Sequence, residues 1–275
     1  GQAVPMIASP TPALEEQVLD RPGCPVHVWL SGPTSARPLV LLHDAGIDHR
    51  TFNPQLEAFG RIYHLALMDV RGHGQSRPLS RPFSIDDAGD DVLALLDRLG
   101  GRPAALLGQS MGGNIAQEVV FREPARVSAL IAADCACNTL PLPAYQRALL
   151  GVSPALLRLM PRRLLWSGTV AVSKRPDVRR YLSAAVRRLS KPEIIEIMAG
   201  TLRVLHAEAG YHVPCPLLIV RGEHDSAGAI RQQAPIWAAR DGADYTVIPA
   251  AGHLSNMDNP AAFNERVLGF LERVL

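Results

Sequence analysis

The stretch Gly108-Gln109-Ser110-Met111-Gly112 sets a serine between two glycines, each two positions away. A serine hydroxyl is a weak nucleophile at neutral pH. It needs a neighbouring base, and the base needs a third group to fix its tautomer. Two later segments offer both. His253, in Ala250-Ala251-Gly252-His253-Leu254, is the candidate base, and Asp225, in Arg221-Gly222-Glu223-His224-Asp225, is the candidate orienting acid. Asp134 is the rival for the acid. The chemistry open to such a set is acyl transfer: Ser110 attacks a carbonyl while His253 takes its proton. The oxyanion that develops needs donors. One is the backbone N–H of Met111, next to the nucleophile. The other, assigned by position, is the N–H of Ala45 in His43-Asp44-Ala45-Gly46.

A glycine–serine pentapeptide is too common by itself, so the elements around it must decide. Apolar runs predict strands at Val26–Leu30, Pro38–Leu42, Ile62–Met68, Ala104–Leu107, Val127–Ala132, Pro216–Val220 and Tyr245–Ile248. Nearly continuous apolar runs suit strands buried on both faces of a parallel sheet. Between them the helical period predicts Thr51–Phe59, Ile85–Leu99, Met111–Arg122, Ala227–Ala239 and Ala261–Leu275. In the second of these, Ile85, Ala88, Val92, Leu95 and Leu96 make one apolar face. Strand–helix alternation argues for the α/β class, with a mostly parallel sheet flanked by helices. Ser110 then sits on the sharp turn between Ala104–Leu107 and Met111–Arg122. Asp225 follows Pro216–Val220, and His253 precedes the final helix. Three loops after strand ends converge on the carboxyl edge of the sheet, where open α/β sheets bind ligands. The alternation breaks between about Asn138 and His212, where the text turns helical, basic and rich in proline. That segment reads as a helical lid, residues 137–212, inserted into one core made of 1–136 and 213–275.

The tracts LLHDAG, MDVRGHGQS at Met68–Ser76, LLGQSMGGNIAQE, LLIVRGEHD and AAGHLSNMDNP resemble the α/β-hydrolase superfamily over nearly the whole chain. Within it, the SMGG tract, the DVLALLDRLG helix and the HLSN ending look most like the 3-oxoadipate enol-lactonase and small carboxylesterase branch. The resemblance implies hydrolysis of an ester or lactone through an acyl-enzyme. Two other functions stay open on the same fold: carbon–carbon bond hydrolysis of a vinylogous diketone, and a ligand receptor with a retained triad. One position departs from the family, which usually has Gly where this chain has Asp44. Asp44 is either a tolerated turn residue with its carboxylate turned outward or a carboxylate at the pocket mouth that tunes substrate or water.

His43, Asp44 and Trp166 are the candidates for substrate contact. His43 is expected to brace the oxyanion loop by hydrogen bonding and His73 to brace its own turn, with His224 at the surface or behind Asp225. Cys135 and Cys137 read as small buried residues of the pocket floor, with no adjacent cation to activate a thiolate. Residues 137–212 hold 12 Lys+Arg against 4 Asp+Glu. These cations, with Arg162, Arg163, Arg179, Arg180, Arg187 and Arg188 foremost, either form a solvated face or attract anionic esters or lactones. The apolar face of the same segment, Leu156, Leu157, Leu159, Met160, Leu164, Leu165 and Trp166, is expected to line an acyl pocket.

Composition excludes other classes. The 275 residues carry 28 Lys+Arg and 26 Asp+Glu, a net charge of +2, which is no general attractor for nucleic acid. Four cysteines without a CxxC pair suggest neither a disulfide framework nor a zinc site and fit a reducing, cytoplasmic setting. No pair of histidines has metal-site spacing and no phosphate-cradling glycine motif occurs, so neither metal nor nucleotide cofactor is expected. No apolar run of 18 residues suggests a membrane span, and residues 1–12 lack the basic start and long apolar core of a signal peptide. The expected partner is a small ester or lactone, and the expected assembly a monomer or homodimer.

Overall fold

The structure, a computed structural model, describes residues 13–275, without the side chains of 148–155, 168 and 169. The reading of residues 1–12 as no signal peptide lies outside the described residues. One sheet of eight strands runs through the described chain: β1 (Glu15–Arg21), β2 (Cys24–Ser31), β3 (Pro38–Leu42), β4 (His64–Met68), β5 (Ala104–Gln109), β6 (Val127–Ala133), β7 (Leu217–Gly222) and β8 (Asp244–Ile248). Their order across the sheet is β1-β2-β4-β3-β5-β6-β7-β8. The β1–β2 and β2–β4 pairs are antiparallel, and every pair from β4 to β8 is parallel.

The helices are α1 (Leu56–Gly60), α2 (Ile85–Arg98), α3 (Met111–Arg122), α4 (Ala144–Leu159), α5 (Arg162–Val170), α6 (Pro176–Val186), α7 (Lys191–Leu202), α8 (Ile230–Asp241), α9 (Ser255–Asp258) and α10 (Pro260–Val274). Every residue of β3, β4 and β5 is buried. Alternate side chains go to opposite faces, as the pleat requires. Val40, Leu42, Ala104 and Leu106 join one core with Val92 of α2 and Ile115 of α3. Leu39, Leu41, Ala105 and Leu107 join a second core with Phe59 of α1 and Phe263, Val267 and Phe270 of α10. Two cores on two faces explain why these strands read as unbroken apolar runs.

Caps set the helix starts. The Ser84 hydroxyl accepts from the Asp87 N–H at 3.1 Å, and Asp86 and Asp87 lie in the positive first turn of α2. Asn259 caps α10, with Pro260 at its first position. The expected helix over Thr51–Phe59 is instead a 3₁₀ turn at His49–Gln55 running into the short α1, with Pro54 inside the turn. Strand β1 carries no apolar run in the sequence. Its sequence EEQVLDR is mostly solvent-facing, and only Leu19 is buried, so an edge strand leaves little apolar signature.

Helices α4 to α7 fall between β6 and β7. Here α6 and α7 are anchored by buried Val178, Leu182, Val186, Ile194 and Ile197. By contrast Leu156, Leu159 and Leu164 of α4 and α5 are exposed. Among the described residues no helix is long and apolar enough to cross a membrane.

Candidate active site

Ser110 joins β5 to α3 with φ +52° and ψ −116°, a conformation that L-residues rarely adopt. The glycines around it have no room for a side chain. A Cβ on Gly108 would lie 2.2 Å from the Gly112 carbonyl oxygen, and one on Gly112 would lie 2.1 Å from the Leu42 carbonyl oxygen. Close approach of α3 to the ends of β5 and β3 therefore fixes both residues as glycine. The Ser110 N–H donates to the Ala133 carbonyl at 2.8 Å, which ties the turn to β6.

Ser110, His253 and Asp225 come together. The Ser110 Oγ lies 3.0 Å from His253 Nε2, and His253 Nδ1 lies 3.0 and 3.1 Å from the two Asp225 carboxylate oxygens. Asp225 is held by the Ala227 N–H at 2.9 Å and its side chain is fully buried. The Gln109 side-chain amide donates to the His253 carbonyl at 2.6 Å, so the residue before the serine positions the histidine loop. Burial would lower the His253 pKa, but hydrogen bonds to Asp225 and Asp44 and the charges of both outweigh it and raise it well above the ordinary value.

The rival acid has a different place. Asp134, at φ +47°, accepts from the Gly222 N–H at 2.7 Å, the Ser255 N–H at 3.0 Å and the Ser255 hydroxyl at 2.6 Å. It thus joins the end of β7 to the segment just after His253. Burial, with the nearby charge of Asp225, pushes its carboxyl up to about 7. The sequence marked Asp134 as a competing acid, and its bracing contacts carried no local signal.

Asp44 turns inward. Its Oδ1 accepts from the Ala45 N–H at 2.6 Å and from the Met111 N–H at 3.5 Å, and its Oδ2 lies 3.4 Å from His253 Nε2. The two expected oxyanion donors therefore converge on one point, and the Asp44 carboxylate is at that point. Burial would raise its pKa, but His253, the Ala45 N–H and Ser110 bring it below the usual value. The outward-pointing alternative for this side chain does not hold, because the inward donors capture it. His43 lies behind this loop. Its Nδ1 meets the Asp44 carbonyl at 2.7 Å and its Nε2 accepts from the Val70 N–H at 3.0 Å. Burial lowers its pKa, so it braces the loop as a neutral ring. His73 is also buried, its pKa brought down by burial to about 3, with its ring edge-on to His43 at 5.1 Å.

A cavity of about 390 Å³ opens beside Ser110 and His253. Leu142, Met198, Leu202 and Leu205 of the inserted segment and Ile230 of α8 give it apolar walls; Asn114, Gln146 and Thr201 are, with Ser110, its polar neutral side chains. Among the described lining residues the only charged or titratable groups are Asp44 and His253. None of the six arginines singled out from the sequence lines it. Trp166 does not line it either, contrary to the sequence expectation. Its indole N–H donates to the Val186 carbonyl at 2.9 Å, and Arg162 covers its ring at 3.9 Å. Of the expected wall, Leu156, Leu159 and Leu164 are exposed, and none of its other members, Leu157, Met160 and Leu165, is among the described lining residues; α7 with Leu142, Leu205 and Ile230 supplies the apolar wall. Ala136 reaches the cavity, whereas Cys135 is buried below Gly113 and its thiol is raised by burial well above the ordinary value.

Asp48, His49 and Asp69 form a separate cluster with ligand-type atoms within 4.8 Å of one another. Its carboxylates are committed to protein donors. Asp48 pairs with Arg50 at 2.7 Å, and Asp69 accepts from the N–H groups of His49 at 2.8 Å and Gln75 at 2.7 Å.

Residues 39–266 match the alpha/beta hydrolase family. The chain belongs to that family. A curated relative, 3-oxoadipate enol-lactonase 2 of Acinetobacter baylyi, is 26% identical over 260 residues, covering 86% of this chain and 88% of its own. A hydrolase from Pseudomonas aeruginosa superposes with a TM-score of 0.78 at 26% identity, over 94% of this chain and 98% of that one. The enol-lactonase of Burkholderia xenovorans superposes with a TM-score of 0.80 at 24% identity, over 93% and 100%. The alpha/beta hydrolase fold thus accounts for the sheet order and for the convergence of three loops on its carboxyl edge.

Proposed function

We propose that this alpha/beta hydrolase cleaves a neutral, apolar carboxylic ester or lactone through an acyl-enzyme on Ser110. The reading rests on the hydrogen-bonded series Ser110–His253–Asp225 opening on an apolar cavity. His253 Nε2 takes the hydroxyl proton as Ser110 Oγ attacks the carbonyl carbon. Asp225 holds the other ring nitrogen and stabilises the imidazolium that forms. The N–H groups of Ala45 and Met111 hold the tetrahedral oxyanion once Asp44 has left it. His253 then gives its proton to the departing alkoxide, and the acyl group stays on Ser110. A water, deprotonated by His253, attacks the acyl carbon, and collapse returns Ser110 and a free acid. No step asks for a group beyond these residues and water.

The substrate class departs from the anionic option raised by the basic segment. A carboxylate-bearing substrate finds no Lys or Arg among the described lining residues, and it meets Asp44. A neutral acyl chain fits the apolar wall, since a polar group buried without a partner is costly. The relative named as a 3-oxoadipate enol-lactonase supports lactone opening as the reaction, but the enol-lactone of a dicarboxylic acid keeps one carboxylate, so the preference for a neutral substrate rests on the lining of this cavity alone.

Fluorophosphonate labelling followed by a panel of p-nitrophenyl acyl esters, simple lactones and a vinylogous diketone tests the reading. The expected result is labelling lost in Ser110→Ala and turnover of neutral esters or lactones. Turnover of the diketone alone would move the reaction to carbon–carbon cleavage. Tight ligand binding without turnover, unaltered by Ser110→Ala, would make the chain a receptor.

A further inference from the structure

We propose that Asp44 is the specificity-determining residue of this site: its carboxylate fills the oxyanion position in the resting enzyme, yields it to a neutral carbonyl, and excludes ligands that carry a carboxylate. The proposal rests on the hydrolase reading above. Its basis is geometric. Oδ1 of Asp44 accepts from Ala45 on its own loop at 2.6 Å and from Met111 at the start of α3 at 3.5 Å, while Oδ2 lies 3.4 Å from His253 Nε2. A local turn would explain the contact with the next residue alone. The contacts with α3 and with the loop after β8 require the side chain to point at the reacting centre. A carboxylate held by two backbone N–H groups beside a serine and an imidazole has the charge and donor set of an acid product lying in the site.

Two consequences follow from charge. A substrate carbonyl must displace Oδ1 before the oxyanion donors can act, and a neutral ester does so without bringing a second negative charge. A carboxylate-bearing ester, or the acid released by turnover, enters a cavity where Asp44 already stands and no described lining residue is a Lys or Arg. In a partly buried site like charges a few ångströms apart repel more strongly than in bulk water. The groups that face Asp44 are His253 on the loop after β8 and Ser110 at the β5–α3 turn, with Cys135 beyond β6 and His43 on its own loop. Asp225 and Asp134 lie behind His253. Displacement also removes one of the two carboxylates beside the His253 ring, so Asp44 and the protonation of the base are linked.

The test compares wild type with Asp44→Gly, which opens the position, and Asp44→Asn, which keeps the shape without the charge. The substrates are p-nitrophenyl butyrate and mono-p-nitrophenyl glutarate, a neutral and an anionic ester of similar reach, with butyrate as product inhibitor. Fluorophosphonate labelling reads access to Ser110, and thermal melting checks the fold. The expected result is a preference for the neutral ester in wild type that shrinks by about tenfold or more in both variants. Butyrate should inhibit both variants at concentrations that leave wild type unaffected, and labelling should be several-fold faster in Asp44→Gly. The acid limb of kcat/KM should move to lower pH in Asp44→Asn. Should Asp44→Gly misfold, Asp44→Asn carries the charge measurement unaided. An unchanged preference with unchanged butyrate sensitivity would overturn the proposal while labelled Ser110 leaves the hydrolase reading standing. Absence of labelling and turnover in all three proteins would bring both down together.

Discussion

Asp134 accepts two hydrogen bonds from Ser255, one from its N–H at 3.0 Å and one from its hydroxyl at 2.6 Å. Ser255 lies two residues beyond His253, so this pair fastens the loop that carries the base to the end of β6. Asp225, by contrast, meets the imidazole itself. Two buried carboxylates on neighbouring strand ends thus have separable tasks.

Substitution distinguishes them. Asp225→Ala should lower kcat by about 10⁴, as loss of the orienting acid does in such sets, and should also cost about 1–3 kcal/mol of stability, because the buried Ala227 N–H and His253 Nδ1 lose their partner. Asp134→Ala strands three buried donors and should destabilise by about 1–3 kcal/mol, with a smaller loss of kcat. Steady-state kinetics beside thermal denaturation checks both. Equal kinetic losses in the two variants would contradict the assignment of Asp225 as the acid.

The proton on Asp134 gives a pH dependence of stability. Its folded pKa is pushed up from 3.8 to about 7 by burial and by Asp225. Between those values the folded protein binds more of this proton than the unfolded chain does. Stability from this group is therefore complete below the unfolded pKa and falls as pH rises through about 7. Asp134→Asn should flatten that slope. Urea denaturation of wild type and variant from about pH 4.5 to 7.5 measures it, and parallel curves would contradict it.

Gly112→Ala should be among the most damaging single-methyl additions in the core. The new Cβ would sit 2.1 Å from the Leu42 carbonyl oxygen, a backbone atom that cannot rotate away. Loss of about 1–3 kcal/mol or more is expected, with displacement of the Ser110 turn and reduced fluorophosphonate labelling. Gly269→Ala is the matched control, because nothing lies within 4 Å of a Cβ there. Similar behaviour of the two variants would remove the close-approach explanation for the glycine after the serine.

The cavity wall predicts where acyl selectivity resides. Leu202 lines the cavity and Trp166 does not. Leu202→Phe should reduce kcat/KM for long p-nitrophenyl acyl esters relative to acetate, whereas Trp166→Phe should leave that ratio unchanged. Chain-length profiles of the two variants decide between α7 and α5 as the selective wall.

Local pattern determined much of this protein. Unbroken apolar runs marked the buried strands at Pro38–Leu42 and Ala104–Leu107, because those residues alternate between two cores and neither face is wet. The Gly108–Gly112 stretch marked the serine turn, because two glycines set around a serine are a local signature; the carbonyl that forbids a Cβ on Gly108 lies in the turn itself, whereas the one that forbids it on Gly112 belongs to Leu42 of β3. The order Ser110, Asp225, His253 followed from placing each after a strand end. The edge strand Glu15–Arg21 was illegible, since its register comes from pairing with β2 and its side chains mostly meet water. Tertiary structure alone decided the direction of Asp44, the bracing by Asp134 and the docking of Trp166 on Val186 away from the cavity. Each of those side chains takes its orientation from partners brought near by folding, and periodicity along a chain describes the face of an element rather than the remote donor that a polar atom will find.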